Sequence, residues 1–313
     1  MSNANQNKAK REKNDEFYTQ LSDVEKEMMH YTSHFKDKVV YLNCNDHRKS
    51  AFWEYFANQF EILGLKKLVA TQFSKTESSY KIEITGDTNG DGRIDIDDTV
   101  QTPLEGNGDF RNQECINILK EADIIVTNPP FSLFREYIAQ LVEYDKKFLI
   151  IGNTNAITYK EIFPLIKEKK LWLGTVNPRT YEVPEIYEGK KKKIDGKWFS
   201  THGNHCWFTN LDHKKRHALH MGYKTYKGNE SDYPKYDNYD AIEVSKVKDI
   251  PTDFNGVMGV PITFLDKHDP DQFELLGCTY SYGKVKGLHV EGTTYNGLIN
   301  GIEKYKRLFI KRK

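Results

Sequence analysis

The chain has 313 residues with 46 Lys and Arg against 45 Asp and Glu, a formal net charge of +1, and 13% aromatic residues. No apolar run approaches the roughly 18 residues of a transmembrane helix, and the polar start from Met1 to Asp15 lacks the apolar core of a secretory signal. Cys44, Cys115, Cys206 and Cys278 lie far apart with no C-x-x-C pair, which argues against a disulfide or zinc framework and for the reduced thiols of a cytoplasmic protein. Residues 1–16 read as a flexible, basic N-terminus. Lys38–Leu42 reads as a buried strand ending in the polar turn Asn43-Cys44-Asn45-Asp46. A helix follows, with Phe52, Tyr55, Phe56, Phe60 and Leu63 at three- and four-residue spacing and Gly64 as its stop. Lys67–Thr71 is a second strand and 79–85 a third, before a Gly/Asp-rich insertion over 86–109. A helix over 111–122 puts Cys115, Ile118, Leu119 and Ala122 on one face. Then come a strand at 123–127, a helix carrying Leu133, Phe134, Tyr137, Ile138, Leu141 and Val142, a strand at 147–151 and a helix near 158–169. This alternation predicts an α/β fold of βαβ units with a mostly parallel, Rossmann-like sheet over 17–170. From about 171 short strands, Gly turns and tyrosines take over, with Asp195-Gly196 as a hairpin turn between 193–194 and 197–199. The apolar stretches Cys206–Thr209 and Ile262–Leu265 suit strands returning to the main sheet.

The most informative string is Asn128-Pro129-Pro130-Phe131, directly after the strand Asp123–Thr127. It falls at the carboxyl end of a strand, where open α/β sheets bind ligands. An exocyclic amine such as adenine N6 is a poor nucleophile, because its lone pair is delocalised into the ring. The amide oxygen of Asn128 and the carbonyl of Pro129 suit its two N–H groups, and accepting both would localise the lone pair and aim it at an electrophilic methyl group. Consecutive prolines hold that carbonyl rigidly, and Phe131 offers a face on which a flipped base can stack. The turn 43–46 stands where a nucleotide-binding loop belongs, although an N-cap by Asn45 or Asp46 explains it equally well. Asp109 and Phe110 suit the N6 and the face of a cofactor adenine, or alternatively the N-cap of the helix that follows.

These segments together resemble the EcoRI-type adenine-N6 DNA methyltransferases over nearly the whole chain. The resemblance runs through Asp15-Glu16-Phe17-Tyr18-Thr19-Gln20, Tyr41–Asp46, Gly108–Arg111, Thr127–Ser132, Ile150–Asn153, Cys206–Asn210 and Tyr233–Tyr239. It implies a Rossmann-like catalytic domain over 17–170 that uses S-adenosyl-L-methionine, with target recognition over 171–313. Phe17, Tyr18 and Thr19 would cover the cofactor, Asn43, Asn45, Asp46, Asp109 and Phe110 would bind it, and Asn128, Pro129, Pro130 and Phe131 would hold the flipped adenine. The implied partners are double-stranded DNA and a cognate restriction endonuclease of the same system. The sequence departs from a glycine-rich nucleotide loop, and no acidic residue ends the second strand. The same pocket would also suit an RNA adenine or a protein glutamine amide.

DNA contact is expected from the basic run Lys190, Lys191, Lys192 and Lys193, for which a solvated face is the plainer reading, and from Lys235 and Tyr236 within a Lys/Tyr-rich segment, which reads equally well as a tyrosine-rich, half-buried surface. No metal is expected at His202, His205 and Cys206, which lack a fourth ligand nearby. Asp87–Asp98 fits a calcium loop, with oxygen-bearing residues at positions 1, 3, 5, 9 and 12 and Gly at 6, but it follows a strand and no amphipathic helix comes after it. A hairpin tip is the expectation there, with a calcium-dependent binding module as the alternative.

Overall fold

A computed structural model describes residues 18–43, 50–74, 79–279 and 296–313. They fall into two units, one ending at Thr154 and resuming over Gly174–Leu211, the other comprising Asn155–Leu173 and Asp212–Lys313.

The first unit opens with β1 (Tyr18–Thr19) and α1 (Leu21–Met28), followed by β2 (Val39–Leu42), α2 (Ala51–Asn58), α3 (Phe60–Leu63) and β3 (Lys67–Thr71). Ser50 caps α2 by accepting from the Trp53 N–H at 3.3 Å. The single helix expected here is broken at Gln59, and Gly64 ends it with the left-handed φ of +62° that glycine tolerates. β4 (Tyr80–Ile84) and β5 (Val100–Pro103) form an antiparallel pair, so the Asp-rich segment is the tip of a hairpin. Then come α4 (Gln113–Glu121), β6 (Ile124–Thr127), α5 (Phe134–Glu143) and β7 (Lys147–Asn153). All four residues of β6 are buried, as a central parallel strand covered on both faces requires. α5 buries Phe134, Tyr137, Ile138 and Leu141, the i, i+3, i+4, i+7 stripe of an amphipathic helix. A Cβ at Gly152 of β7 would stand 2.4 Å from the Phe134 ring, so glycine lets α5 lie close on the sheet.

The helix expected near 158–169 is the shorter α6 (Phe163–Lys167), with Pro164 in its first turn after a 3-10 stretch at Thr154–Thr158. After β8 (Trp172–Leu173), the chain forms β9 (Thr180–Glu182), β10 (Lys192–Ile194), β11 (Lys197–Thr201) and β12 (His205–Thr209). Asp195 and Gly196 carry φ of +47° and +83° between β10 and β11, the two-residue turn whose twist matches a hairpin.

The main sheet runs β5-β4-β3-β2-β6-β7-β12. Only β3-β2-β6-β7 is parallel; β4, β5 and β12 join antiparallel, which corrects the expectation of a mostly parallel sheet. The link from β3 to β4 is too short for a crossover, so those strands can only pair antiparallel. From β2 the chain passes to β3 on one side and returns to β6 on the other, so the strand order reverses between β2 and β6. A second small sheet, β1-β9-β11-β10, is antiparallel throughout.

In the second unit, β13 (Ile242–Glu243), β14 (Met258–Pro261), β15 (Phe273–Cys278) and β18 (Arg307–Arg312) form a sheet, and β16 (Leu298–Ile299) pairs with β17 (Ile302–Glu303). Ile262–Leu265, expected as a strand, lies in a 3-10 segment that begins where β14 ends at Pro261. The core here gathers Tyr236, Tyr239, Ala241, Ile299 and Phe309. Among the described residues, no helix is long and apolar enough to cross a membrane.

Candidate active site

The strand order reverses between β2 and β6, and the carboxyl ends of strands at such a switch point are the usual ligand position in these sheets. The Thr127 hydroxyl donates to the carbonyl of buried Asn43 at 2.5 Å and ties the two strand ends together. Asn128-Pro129-Pro130-Phe131 leaves β6 from this point and turns into α5 through a 3-10 segment at Phe131–Leu133, whose Leu133 N–H donates to Pro130 at 3.0 Å. Pro129 is buried, while Asn128 and Phe131 are half-buried. The Asn128 side-chain amide donates to the Thr19 hydroxyl at 3.4 Å.

Phe131 and His205 pack edge to face, with centroids 4.7 Å apart and planes at 80°. His205 stacks on His202 at 4.7 Å and 8°, and meets Tyr181 at 4.9 Å. Burial, with the neighbouring His202 as the lesser cause, pushes the His205 imidazole down to about 3, so the ring is neutral at physiological pH. The His202, His205 and Cys206 group that the sequence singled out for lacking a fourth metal ligand therefore supplies, through its imidazoles, an aromatic wall behind Phe131. No periodicity marked this role, because it depends on the register of β12 against β7.

On the cofactor side, Phe17, Asn45 and Asp46 lie outside the described residues, as does the side chain of Tyr18. The backbone of Tyr18 pairs with Glu182 and Thr19 pairs with Tyr181. Asn43 stands at the end of β2. Gly108 brings Asp109 to the end of β3: its φ is +74°, and a Cβ there would lie 1.9 Å from the Gln72 carbonyl. The Ser74 N–H donates to the Asn107 carbonyl at 3.0 Å in the same approach. Asp109 is half-buried and accepts from the Arg111 N–H at 3.0 Å, from Nε at 2.8 Å and from Nη2 at 2.7 Å. These bonds from Arg111 hold its carboxyl below the usual carboxylate range. Phe110 is buried, edge-on to Tyr137 at 5.0 Å and beneath the Arg111 guanidinium at 5.2 Å. Its ring thus packs on Tyr137 of α5 and on the Arg111 side chain. Helix α4 takes Asn112 as its N-cap, so Asp109 is not capping it.

In the β10–β11 hairpin, Lys190, Lys192 and Lys193 are exposed. Lys191 is half-buried and donates to the carbonyls of Glu185 and Tyr187. Lys191 and Lys193 lie 5.0 and 5.4 Å from the centre of the Trp198 ring. Lys235 is exposed in the second unit. Tyr236, read as a DNA contact, is buried there, with its hydroxyl donating to Glu243 and its ring 5.8 Å from Phe309. The side chain thus belongs to the core of the second unit.

A family model described as "Adenine-specific methyltransferase EcoRI" matches residues 5–313. The chain is 49% identical to "Type II methyltransferase M.EcoRI" of Escherichia coli over 98% of its own length and 95% of the relative's. It is 46% identical to "Type II methyltransferase M.MpnI" of Mycoplasma pneumoniae over 87% of its length and 85% of the relative's. No solved structure matches the chain.

Proposed function

The chain belongs to the family of EcoRI-type adenine-specific methyltransferases, and on that premise we propose that it methylates the N6 amine of an adenine turned out of a DNA duplex, with S-adenosyl-L-methionine as the donor. The observation that carries this reading is the placement of Asn128-Pro129-Pro130-Phe131 at the carboxyl end of β6, on the switch point of the sheet. The Asn128 amide oxygen and the Pro129 carbonyl accept the two N6 hydrogens and turn the nitrogen lone pair out of conjugation. Both are oriented before reaction, which is where enzymes gain most from fixed dipoles. Phe131 stacks on the extruded base and offsets part of the cost of unstacking it.

The donor side is polar: the close approach at Gly108 holds Asp109 at the end of β3, and Asn43 follows the neighbouring strand β2. Asn43, Asp109 and Phe110 would hold the donor among the described residues, with Phe17, Tyr18, Asn45 and Asp46 as further contacts proposed from sequence. Bound there, S-adenosyl-L-methionine supplies an electrophilic methyl group on a sulfonium. The N6 proton is released to water after transfer, so Asn128 needs no strong base beside it.

The relatives' Type II names support a place in a restriction–modification system, with a cognate endonuclease as the partner. The adenine-specific family speaks against a glutamine amide as substrate, and a calcium module leaves the Asn128 turn unexplained. Sequencing DNA from cells that express the protein should reveal N6-methyladenine at one recurrent sequence. Asn128→Ala should lower turnover by roughly 10²-fold, the usual effect of losing one positioned polar group, and leave donor affinity intact. Phe131→Ala should weaken base capture, with Phe131→Trp retaining more activity. Near-native turnover in folded Asn128→Ala would remove this turn from the reaction.

A further inference from the structure

The small sheet β1-β9-β11-β10 reaches the Asn128 turn at two points, and both lie on one rung. Thr19 and Tyr181 are directly opposed in the antiparallel β1–β9 pair, so their side chains share a face of that sheet. Both are buried. The Thr19 hydroxyl accepts from the Asn128 amide at 3.4 Å. The Tyr181 ring meets His205 at 4.9 Å, and His205 meets Phe131 at 4.7 Å. His205 is placed by the main sheet: it opposes Asn153 at the carboxyl end of β7, and the Thr154 N–H donates to the adjacent Asn204 carbonyl at 2.7 Å.

We propose that Thr19, expected from sequence to cover the donor but bonded here to the Asn128 amide, and the Tyr181–His205 pair are positioning residues for methyl transfer, the first fixing which way the Asn128 amide faces and the second fixing the plane of the Phe131 ring. The inference rests on the reading of Asn128–Phe131 as the base site. An amide group has a donor end and an acceptor end. With Nδ2 held on Thr19, Oδ1 is the end turned away from β1, and that oxygen is the one a base amine requires. A phenyl ring held edge to face with a buried imidazole has one orientation that keeps the contact, so its plane is set before a base arrives. The imidazole is neutral, so ring packing and not charge does the positioning.

The test compares Thr19→Val, Thr19→Ser, His205→Ala and His205→Phe with Asn128→Ala and Phe131→Ala as references. Single-turnover methylation, S-adenosylmethionine affinity and the fluorescence of 2-aminopurine placed at the target adenine are read for each, beside a thermal melt. Thr19→Val should slow methylation about tenfold, as one lost hydrogen bond would, with donor affinity unchanged and serine restoring the rate. His205→Ala should reduce the 2-aminopurine signal and raise the KM for DNA more than it lowers kcat, and His205→Phe should recover most of both. If Thr19→Val weakens donor binding but leaves the saturated rate intact, Thr19 contacts the donor and the inference is overturned. Native behaviour of Thr19→Val and His205→Ala beside impaired Asn128→Ala and Phe131→Ala overturns the inference while the base site stands. Native behaviour of both references removes the base site and the inference with it.

Discussion

His205 is among the most perturbed single groups in the first unit, and its titration has a sign that can be worked out. Its neighbours are His202, stacked on it, Tyr181 against its edge and Cys206 beside it in β12. Folded His205 stays neutral down to about 3, whereas an unburied imidazole protonates near 6.5. Between those values the unfolded chain binds a proton that the folded chain refuses. Stability therefore rises with pH through that window and no longer changes on this account above it. The expected slope is about 1.4 kcal/mol per pH unit for one proton. Urea midpoints at pH 5 and 7 should show a smaller difference in His205→Phe than in the native protein. Equal differences would mean that the imidazole titrates normally and is not enclosed. The same burial explains why Asn128 was legible as a functional residue and His205 was not. The Asn-Pro-Pro-Phe string is stiff and local, and its meaning survives without tertiary context. The meaning of His205 comes from a strand paired antiparallel to β7 some fifty residues after it in sequence, and from a rung of another sheet.

At the scale of elements, the β10–β11 hairpin carries the most concentrated positive charge on the described surface of the first unit. Replacing Lys192 and Lys193 with alanine should weaken binding to all DNA sequences alike and flatten its salt dependence, by roughly 0.9 in log–log slope for each lost phosphate contact. Lys191 should behave differently, because it closes the 185–191 segment on its own carbonyls. An unchanged salt slope would show that the run is only solvated. The β4–β5 hairpin at the edge of the main sheet makes the opposite case. Asp87 accepts from the Gly90 and Gly92 N–H groups, Asp91 from Arg93, and buried Asp98 from Thr88, Asn89 and Asp95. The carboxylates are spent on closing the tip of β4–β5, and backbone donors hold Asp98 below the usual range. Chelator treatment, or Asp87→Ala with Asp91→Ala, should leave methylation unchanged; loss of activity would make the tip a working calcium site. The parallel strands β2, β3, β6 and β7 were legible because strands buried on both faces read as continuous apolar runs, and the Asp195-Gly196 turn because only its residue types suit two positive φ angles. The antiparallel additions were not legible, since an apolar run does not state its direction. Nor was the shortening of α6, because Ile162 and Phe163 continue a helical pattern that the backbone adopts only from Phe163 onward.

At the scale of the whole molecule, each unit closes its own core, and the second does so around a charge. Glu243 is almost fully buried and receives Arg307 Nη2 at 2.7 Å and Nε at 3.0 Å, with the Tyr236 hydroxyl on the same carboxylate. Burial first, and then the adjacent Glu243, push the Tyr236 phenol up, so it stays a donor. The three groups link β13, β18 and the loop before β13. Removing one partner of a buried pair leaves the other charge desolvated and uncompensated, which costs about 3–5 kcal/mol, whereas replacing both by apolar groups of similar volume is often neutral. Glu243→Ala should therefore destabilise strongly, and Glu243→Leu with Arg307→Met should recover most of the loss. The donor-side residues Asn43 and Asp109 and the turn at Asn128 all belong to the first unit, while Lys235 and much of the region proposed to read DNA belong to the second. Hydrogen exchange in Glu243→Ala should accordingly rise across β14, β15 and β18 and leave β2, β6 and β7 protected. S-adenosylmethionine affinity should survive in the same sample, and DNA affinity should fall. If protection is lost evenly in both sheets and donor binding disappears with it, the two units fold as one cooperative body, and that division of labour cannot be tested by weakening either one.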